Sequence, residues 1–142
     1  MYPEIMVIPM REELVRAGIT ETRTAEEVDA ALAKAGTTMV VVNSICGCAA
    51  GKMRPGVRMA LAKASTRPDH AITVFAGQDM EATARARSYF EGNEPTSPAI
   101  AILRDGKLAY LMQRFVIEQA TAEQIAGELV RVFSQFCAHS AA

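Results

Sequence analysis

The sequence predicts an α/β domain in which a central mixed sheet is flanked by helices, with one extra helix at the N-terminus. Two runs of β-branched and apolar residues, 37–43 and 71–77, are typical of strands buried on both faces of a parallel sheet. Segments with helical apolar spacing alternate with these runs, which indicates parallel strands joined by helices. A hairpin signal at Asp105-Gly106 adds an antiparallel edge. The length of 142 residues suits a single domain, which we place at 1–142.

After the extra helix, the elements follow the order β-α-β-α-β-α-β-β-α. The extra helix, "MREELVRAG", ends at Gly18, and the alternating segment 19–23 is predicted to be a short edge strand. Thr24 and Glu27 form the capping box of the next helix, because each side chain can bond a backbone N–H near the other. That helix closes at Gly36, directly before the first buried strand.

A long helix is predicted over 48–65, with an interruption near Pro55-Gly56. The turn 67–70 leads into the second buried strand, and Asp79 is the predicted N-cap of the helix that follows. The remaining predicted segments are helix 79–90, loop 91–98, hairpin 99–114 and a closing helix 121–136 that opens with a Thr-x-x-Gln capping box.

Charge and hydropathy exclude several function classes. The formal net charge is −1 and no block of like charge occurs, so the chain lacks the electrostatic footprint of a nucleic-acid or acidic-membrane binder. The start "MYPEIMVIPMREELV" has an early glutamate and too short an apolar run for a signal peptide, and no segment approaches the length of a membrane span. We therefore expect a cytoplasmic protein with no membrane or nucleic-acid partner. Its three cysteines then serve as free thiols, metal ligands or transient redox groups.

The stretch "VVVNSICGCAAGK" places a Cys-Gly-Cys motif between a buried strand and a helix start, where ligand sites of α/β folds lie. A helix N-terminus offers free N–H groups and a positive dipole end, which lower the pKa of a cysteine. Cys46 is the better placed thiol for this effect, and Gly47 allows a bulky disulfide to approach closely. Lys52, Arg54 and Arg58 follow. We interpret them chiefly as a solvated face, with a role in holding an acidic substrate as the alternative.

Cys48 is the second thiol of the motif. On a regular helix Cys46 and Cys48 point to nearly opposite sides, so a disulfide between them requires a distorted first turn. We infer a strained, readily reduced bond that suits a transient intermediate. One alternative is a pair of buried small residues, since free cysteine is often core. Another is a zinc site, which lacks paired ligands here because only Cys137, His70 and His139 remain. Cys137 serves as a resolving thiol only if the fold brings it close.

Several features together resemble the thioredoxin fold: the element order, the cysteine motif after the second strand, Pro55 in the following helix, and Ser97-Pro98 before the hairpin. The segments "VVNSICGCAAGKMRPGVRMAL", "PDHAITVFAGQDMEATARARSYF" and "SPAIAILRDGKLAYLMQR" are similar to the bacilliredoxin family, small thioredoxin-like proteins with a Cys-Gly-Cys motif. The segment "MREELVRAGITETRTAEEVDAAL" shares the likeness, which thus covers nearly the whole chain. A Ser-Pro bond is ordinarily trans, but the resemblance implies that Pro98 is cis and lies against the active-site sulfur.

The resemblance implies a thiol-disulfide oxidoreductase that removes bacillithiol from mixed disulfides on cytosolic proteins. By this resemblance Cys46 attacks the disulfide and Cys48 is the second cysteine. It implies no metal and no cofactor, with bacillithiol as a co-substrate. The implied partners are bacillithiol-modified or disulfide-containing proteins and a low-molecular-weight thiol. The predicted substrate-binding residues are Gly47, Asn43, Ser97 and Pro98.

Two other functions stay open from the sequence. One is a protein disulfide isomerase that uses a Cys46–Cys48 couple, an activity to which family members have been linked. The other is a non-enzymatic thiol carrier or metal-binding module. The chain also departs from the family in one segment, which reads "RFVIEQA". Family members carry a histidine and a later glycine there, whereas Phe115 and Gln119 leave this chain without that histidine.

Overall fold

A computed structural model describes residues 1–138, in which five strands form one mixed sheet in the order β1-β3-β2-β4-β5. The central strand β2 runs parallel to β3 and antiparallel to β4. At the two edges, β1 pairs in parallel with β3, and β5 pairs antiparallel with β4. The strands are β1 (Thr20–Glu21), β2 (Thr37–Asn43), β3 (His70–Phe75), β4 (Ala99–Arg104) and β5 (Lys107–Met112).

Every residue of β2 is buried, as the continuous β-branched run predicts. Alternate side chains of this strand enter two separate cores, because successive residues of a strand point to opposite faces of the sheet. Met39 and Val41 belong to one core, and Val40 and Val42 belong to the other. The strand therefore anchors both layers of helices, and its carboxyl end is fixed firmly in space.

Helices cover both faces of the sheet. The first core is completed by α3 and α6 with a residue of α1, and the second by α2 and α4. The helices are α1 (Glu4–Val15), α2 (Ala25–Leu32), α3 (Arg54–Lys63), α4 (Met80–Ser88), α5 (Arg114–Gln119) and α6 (Ala122–Phe136), with a π turn (Ala49–Met53) directly before α3. No helix within residues 1–138 is long and apolar enough to cross a membrane.

The long helix predicted over 48–65 is divided into the π turn and α3. The N–H of Arg54 bonds the carbonyl of Ala49, five residues back, and Pro55 then occupies the first turn of α3. Proline is tolerated there because the first N–H groups of a helix have no intrahelical acceptor. The predicted interruption of the helix is thus confirmed. It consists of a π turn, wider than a turn of α-helix, that starts directly after the cysteine motif. Both predicted capping boxes are present, at Thr24 and Thr121.

The helix α1 begins at Glu4, earlier than the predicted segment, although Pro9 lies inside it. Contacts with distant parts of the chain hold it in place. The buried guanidinium of Arg11 pairs with Glu4 (Nε–Oε1 2.7 Å) and with both carboxylate oxygens of Asp79 (2.6 and 2.9 Å), and it lies 5.3 Å from the centre of the Phe75 ring. The pair with Asp79, 68 residues away, attaches α1 to the segment after β3 and offsets part of the local cost of a proline in a helix.

Asp79 occupies the N-cap position of α4, as predicted, but its side chain does not cap the helix. Its carboxylate makes no capping bond and is committed to Arg11 instead. A bidentate pair with a buried guanidinium is stronger than a bond to one backbone N–H, which explains the outcome.

The helix α5 was not predicted from the sequence. It has only six residues and no side-chain cap, so the sequence carried no start signal for it.

Gly56 lets α3 approach α6 closely. A methyl group at this position would lie 2.7 Å from Cγ2 of Ile125 and 3.1 Å from the carbonyl oxygen of Ala122. Because Ile125 is itself buried, it has little room to move aside.

We expect Gly56→Ala to lower the free energy of unfolding by about 1–3 kcal/mol, because overpacking outweighs the gain in helix propensity. The matched control is Gly127→Ala on the exposed face of α6, where the added methyl group meets no other part of residues 1–138 beyond its own helix. That variant is expected to gain up to about 1 kcal/mol. Urea denaturation measures both, and a stabilised Gly56→Ala variant would show that the helices are not in close contact.

Candidate active site

The Cys-Gly-Cys motif lies at the carboxyl end of β2, where the chain turns into the helical segment before α3. The carbonyl oxygen of Cys46 accepts the N–H groups of Ala49 (3.0 Å) and Ala50 (3.1 Å), so the first turn begins at this residue. Cys46 and Cys48 are half-buried, while Gly47 is exposed. The two sulfurs form a disulfide, with Cα atoms 5.5 Å apart, within the usual range for such bonds.

The loop before the motif is held by hydrogen bonds from buried polar groups. The side-chain oxygen of Asn43 accepts hydrogen bonds from the backbone N–H of Ser44 (2.9 Å) and from Nη1 of Arg54 (2.9 Å). The Nδ2 of Asn43 donates a hydrogen bond to the carbonyl of Met10 (3.1 Å). The hydroxyl of Ser44 accepts the N–H of Cys46 (3.1 Å). Asn43 is only 1% exposed, so its visible role is to shape the loop that carries Cys46.

Arg54 is not part of a solvated face, which corrects the main interpretation of that basic segment. It is 3% exposed and also donates to the carbonyl of Ser44 (2.9 Å) and to Oε1 of Glu13 (3.0 Å). Arg58 fits the original interpretation better, since it is about half exposed and bonds the other oxygen of Glu13 (2.8 Å). Lys52 donates to the carbonyl of Glu118 and so connects the π turn to α5.

A groove of about 250 Å³ opens beside Cys46, and we call it the Cys46 groove. Its lining includes Tyr2, Ser44, Cys46, Gly77, Arg87, Ser97 and Arg114. The Ser97–Pro98 peptide bond is cis, as the resemblance implies. Ser97 lines the same groove as Cys46, whereas Pro98 is buried and does not line it.

Two arginines hold the loop before Pro98. Nη2 of Arg87 donates to the carbonyl of Thr96 (3.2 Å), and Nη1 of Arg114 donates to the carbonyl of Ser97 (3.1 Å). The hydroxyl of Thr96 also accepts the backbone N–H of Arg114 (3.2 Å). The start of α5 is thereby attached to the loop that faces the cysteine motif.

The N-terminus forms another part of the groove wall. The backbone N–H of Tyr2 donates to Oε1 of Gln78 (2.8 Å), and Nε2 of Gln78 donates back to the Tyr2 carbonyl (3.0 Å). Gly77 has a φ of +80°, and a methyl group there would lie 3.2 Å from the Tyr2 ring. Glycine therefore allows both the left-handed turn and the close approach of the aromatic side chain.

Comparison with known proteins identifies the family. A family model described as Disulphide isomerase matches residues 2–137. A bacilliredoxin from Koribacter versatilis is 60% identical over 142 residues, covering 99% of this chain and 97% of its own. A bacilliredoxin from Geobacillus kaustophilus is 50% identical over 137 residues, covering 96% of this chain and 93% of its own. The chain belongs to the bacilliredoxin family.

Solved structures show the fold of this bacilliredoxin-family protein. Thioredoxin from Plasmodium falciparum superposes with a TM-score of 0.58 at 12% identity, over 84% of this chain and 99% of its own. Thioredoxin O2 from Arabidopsis thaliana gives 0.58 at 15% identity, over 87% of this chain and 97% of its own. The thioredoxin-like fold predicted from the sequence is confirmed. Family and fold together establish a thiol-disulfide oxidoreductase.

Cys137 lies far from the motif. It is buried beside Thr37, the first residue of β2, whereas Cys46 follows the last residue of that strand. Six residue steps along β2 separate these ends by about 20 Å. Burial raises the pKa of the Cys137 thiol, which also disfavours the reactive thiolate. A resolving role for Cys137 is therefore excluded by this structure.

Within residues 1–138, no three His, Cys, Asp or Glu side chains come together in a group that could hold a metal. His70 bonds the carbonyl of Ala35 (3.2 Å), and His139 lies outside the described residues. Phe115, at which the sequence was expected to depart from the family, lies on α5, and its side chain is 62% exposed. No imidazole from this segment reaches the groove.

Sequence reasoning did not place Arg87 or Arg114 at the site. The hairpin around Asp105-Gly106 indicates only that the end of β5 returns towards residue 98, and the register shift between Ile102 and Leu103, which the sequence does not signal, sets the final alignment. Arg87 carried no such signal. Its position depends on how α4 packs on the sheet, which local sequence does not specify.

We expect Arg54→Met to lower the free energy of unfolding by about 2–4 kcal/mol, because it leaves buried oxygens of Asn43 and Ser44 without their charged donor. Arg58→Met removes an exposed pair with the same Glu13 carboxylate, so its cost is expected to stay below about 1 kcal/mol. Urea denaturation compares the two variants. Equal losses would show that the loop does not depend on the Arg54 hydrogen bonds.

Proposed function

We propose that this protein removes bacillithiol, a low-molecular-weight thiol, from mixed disulfides on cytosolic proteins. The observation that carries the proposal is the position of Cys46, half-buried at a helix start and lining a groove that also contains Ser97, the residue before the cis proline. The family relationship supports disulfide chemistry at this motif. Gly47 is exposed next to Cys46, which leaves room for the disulfide of a substrate protein to approach.

The first step exchanges one disulfide for another. The thiolate of Cys46 attacks the sulfur of the small thiol, a new bond forms between these two sulfurs, and the old disulfide bond breaks. Its electron pair leaves with the protein sulfur, so the protein cysteine is reduced to a thiolate, Cys46 is oxidised to a mixed disulfide in its place, and no external oxidant or reductant is needed. Attack requires the thiolate form, which nearby positive charge stabilises.

The second step frees the small thiol. The Cys48 thiolate attacks Cys46, the small thiol leaves as a thiolate, and the Cys46–Cys48 disulfide seen in the structure is formed. Two equivalents of a small thiol then reduce this disulfide and become oxidised to their own disulfide. A second molecule of small thiol acting directly on Cys46 provides the alternative resolution.

The asymmetry of the two cysteines supports Cys46 as the nucleophile. Cys46 lines the groove, whereas Cys48 does not. Arg87 and Arg114 line the same groove and place positive charge on the Cys46 side of the motif. A thiol in an electropositive, partly exposed environment is the more reactive one.

We expect Cys46→Ser to abolish removal of bacillithiol from a modified protein, because no other sulfur of residues 1–138 lines the groove. Cys48→Ser should still perform the first step and accumulate the small thiol on Cys46. The control Cys137→Ser should keep full activity, since that thiol lies about 20 Å away. Intact-protein mass spectrometry identifies each adduct. If Cys46→Ser still removes the thiol, the assignment is wrong.

A second function is protein disulfide isomerisation or oxidation by the Cys46–Cys48 couple. The closed disulfide and the description of the matching family model favour it. The measured reduction potential distinguishes the two functions. A value near that of protein disulfide isomerase, about −180 mV, would support isomerisation, whereas a value near that of thioredoxin, about −270 mV, would contradict it.

A further inference from the structure

The Cys46 groove is strongly asymmetric in charge. Two guanidinium groups, those of Arg87 and Arg114, line it, and no aspartate or glutamate of residues 1–138 does. The rest of the lining is small or uncharged, as at Ala76, Gly77 and Ser97. An open groove with two positive charges beside a redox cysteine is suited to an anionic group on the substrate.

Arg87 has a charge without a counter-charge. It is half-buried, and no carboxylate within residues 1–138 forms an ion pair with it. Its only hydrogen bond in that range is from Nη2 to the Thr96 carbonyl, and its Nε is buried without any partner. Burial lowers the pKa of this guanidinium, which reflects the cost of holding the charge there. A partly buried cation is stabilised when an anion binds next to it.

Arg114 is held in place with one nitrogen unused. Its Nε donates to the carboxylate of Glu118, and its Nη1 donates to the carbonyl of Ser97. In the described part of the chain Nη2 makes no hydrogen bond. Because Arg87 and Arg114 bond the consecutive carbonyls of Thr96 and Ser97, both guanidinium groups are fixed to one short loop. Their separation is thereby restrained before any ligand arrives.

We propose that Arg87 and Arg114 form a carboxylate-binding subsite for the small-thiol half of the mixed disulfide. The subsite rests on the proposed function for its biological use. With the carboxylate bound in the groove, the sulfur of the small thiol, and not that of the protein, is presented to Cys46. Attack on this sulfur leaves the small thiol on Cys46 and releases the protein thiolate. Attack on the other sulfur would leave the protein covalently linked to the enzyme.

Alkylation of Cys46 tests the subsite without requiring the proposed activity. In a reduced Cys48→Ser background, iodoacetate and iodoacetamide each form one S–C bond with the Cys46 thiolate and expel iodide. The two reagents differ in charge, and both need the thiolate, so a change in the pKa of Cys46 cancels in the ratio of their rates. We expect Arg87→Gln and Arg114→Gln each to lower the iodoacetate-to-iodoacetamide ratio about threefold to tenfold.

Matched variants separate the subsite from general electrostatics. Arg85→Gln removes one positive charge from the same helix, but Arg85 pairs with Asp29 and does not line the groove, so the ratio should not change. Arg87→Lys retains the positive charge. Its iodoacetate-to-iodoacetamide rate ratio should therefore stay close to that of the unsubstituted Arg87 protein, even if the loop at Thr96 loosens. If neither glutamine variant changes the ratio, or if Arg85→Gln changes it equally, the subsite is overturned.

A second arm identifies the source of the carboxylate. One protein cysteine is modified either with 3-mercaptopropionate or with its uncharged counterpart 3-mercaptopropanol, and removal is followed by mass spectrometry. Preferential removal of 3-mercaptopropionate, lost in the two glutamine variants, assigns the carboxylate to the small thiol. If the arginine variants slow removal of both modifiers equally, the carboxylate belongs to the protein substrate, and the assignment to the small thiol is overturned.

The same data distinguish failure of the proposed function from failure of the subsite. If the wild-type protein removes neither modifier but its alkylation ratio still depends on Arg87 and Arg114, the carboxylate site stands and the removal function fails. If the wild-type protein removes both modifiers at rates that the arginine substitutions do not alter, and the alkylation ratio is equally unaffected, the function stands and the subsite fails.

Discussion

The site depends on one buried interaction, the contact of the Arg54 guanidinium with Asn43 and Ser44. The chain leaves β2 at Asn43 and must turn sharply to present a thiol beside the sheet, which exposes backbone groups in a poorly solvated region. Arg54 donates to both residues at 2.9 Å, and the Ser44 hydroxyl then receives the N–H of Cys46. Glu13 of α1 balances the charge of Arg54. Because buried donors and acceptors are costly to leave unpaired, this set of bonds fixes the loop in one conformation.

A second set of contacts positions the opposite part of the groove. The carbonyls of Thr96 and Ser97 are held by Arg87 and Arg114, so the loop with the cis proline is attached to both α4 and α5. At the remaining edge, the Arg11–Asp79 pair and the Tyr2–Gln78 bonds fix α1 against the segment after β3. Six separate stretches of the chain thus line the groove beside one sulfur. The sequence pointed to the cysteine motif with Asn43 and, through the family resemblance, to Ser97 and Pro98, but not to the contributions of Tyr2, Arg87 and Arg114.

The elements that were predictable have local signals. The β-branched run at β2 and the capping boxes at Thr24 and Thr121 consist of neighbouring residues whose preferences agree with the fold, so their prediction needed no tertiary contact. The elements that were missed or misassigned depend on partners far along the chain. Asp79 looks like a helix cap until Arg11 is brought beside it, 68 residues away in sequence. Arg54 looks solvated on a basic segment until α1 covers it.

The groove also has to release what it binds. In the proposed reaction, a small thiol that bears a carboxylate and leaves Cys46 as a thiolate carries two negative charges, and two unopposed arginines would retain it strongly. Glu118 tempers this attraction because its carboxylate already bonds Nε of Arg114, whereas Arg87 has no such partner among residues 1–138. The two arginines therefore have different roles in the proposed subsite. Arg87 provides the unbalanced positive charge that attracts a carboxylate. Arg114, whose charge is partly neutralised by Glu118, provides a hydrogen-bond donor that orients it. An arrangement with one compensated and one uncompensated cation favours binding without preventing turnover.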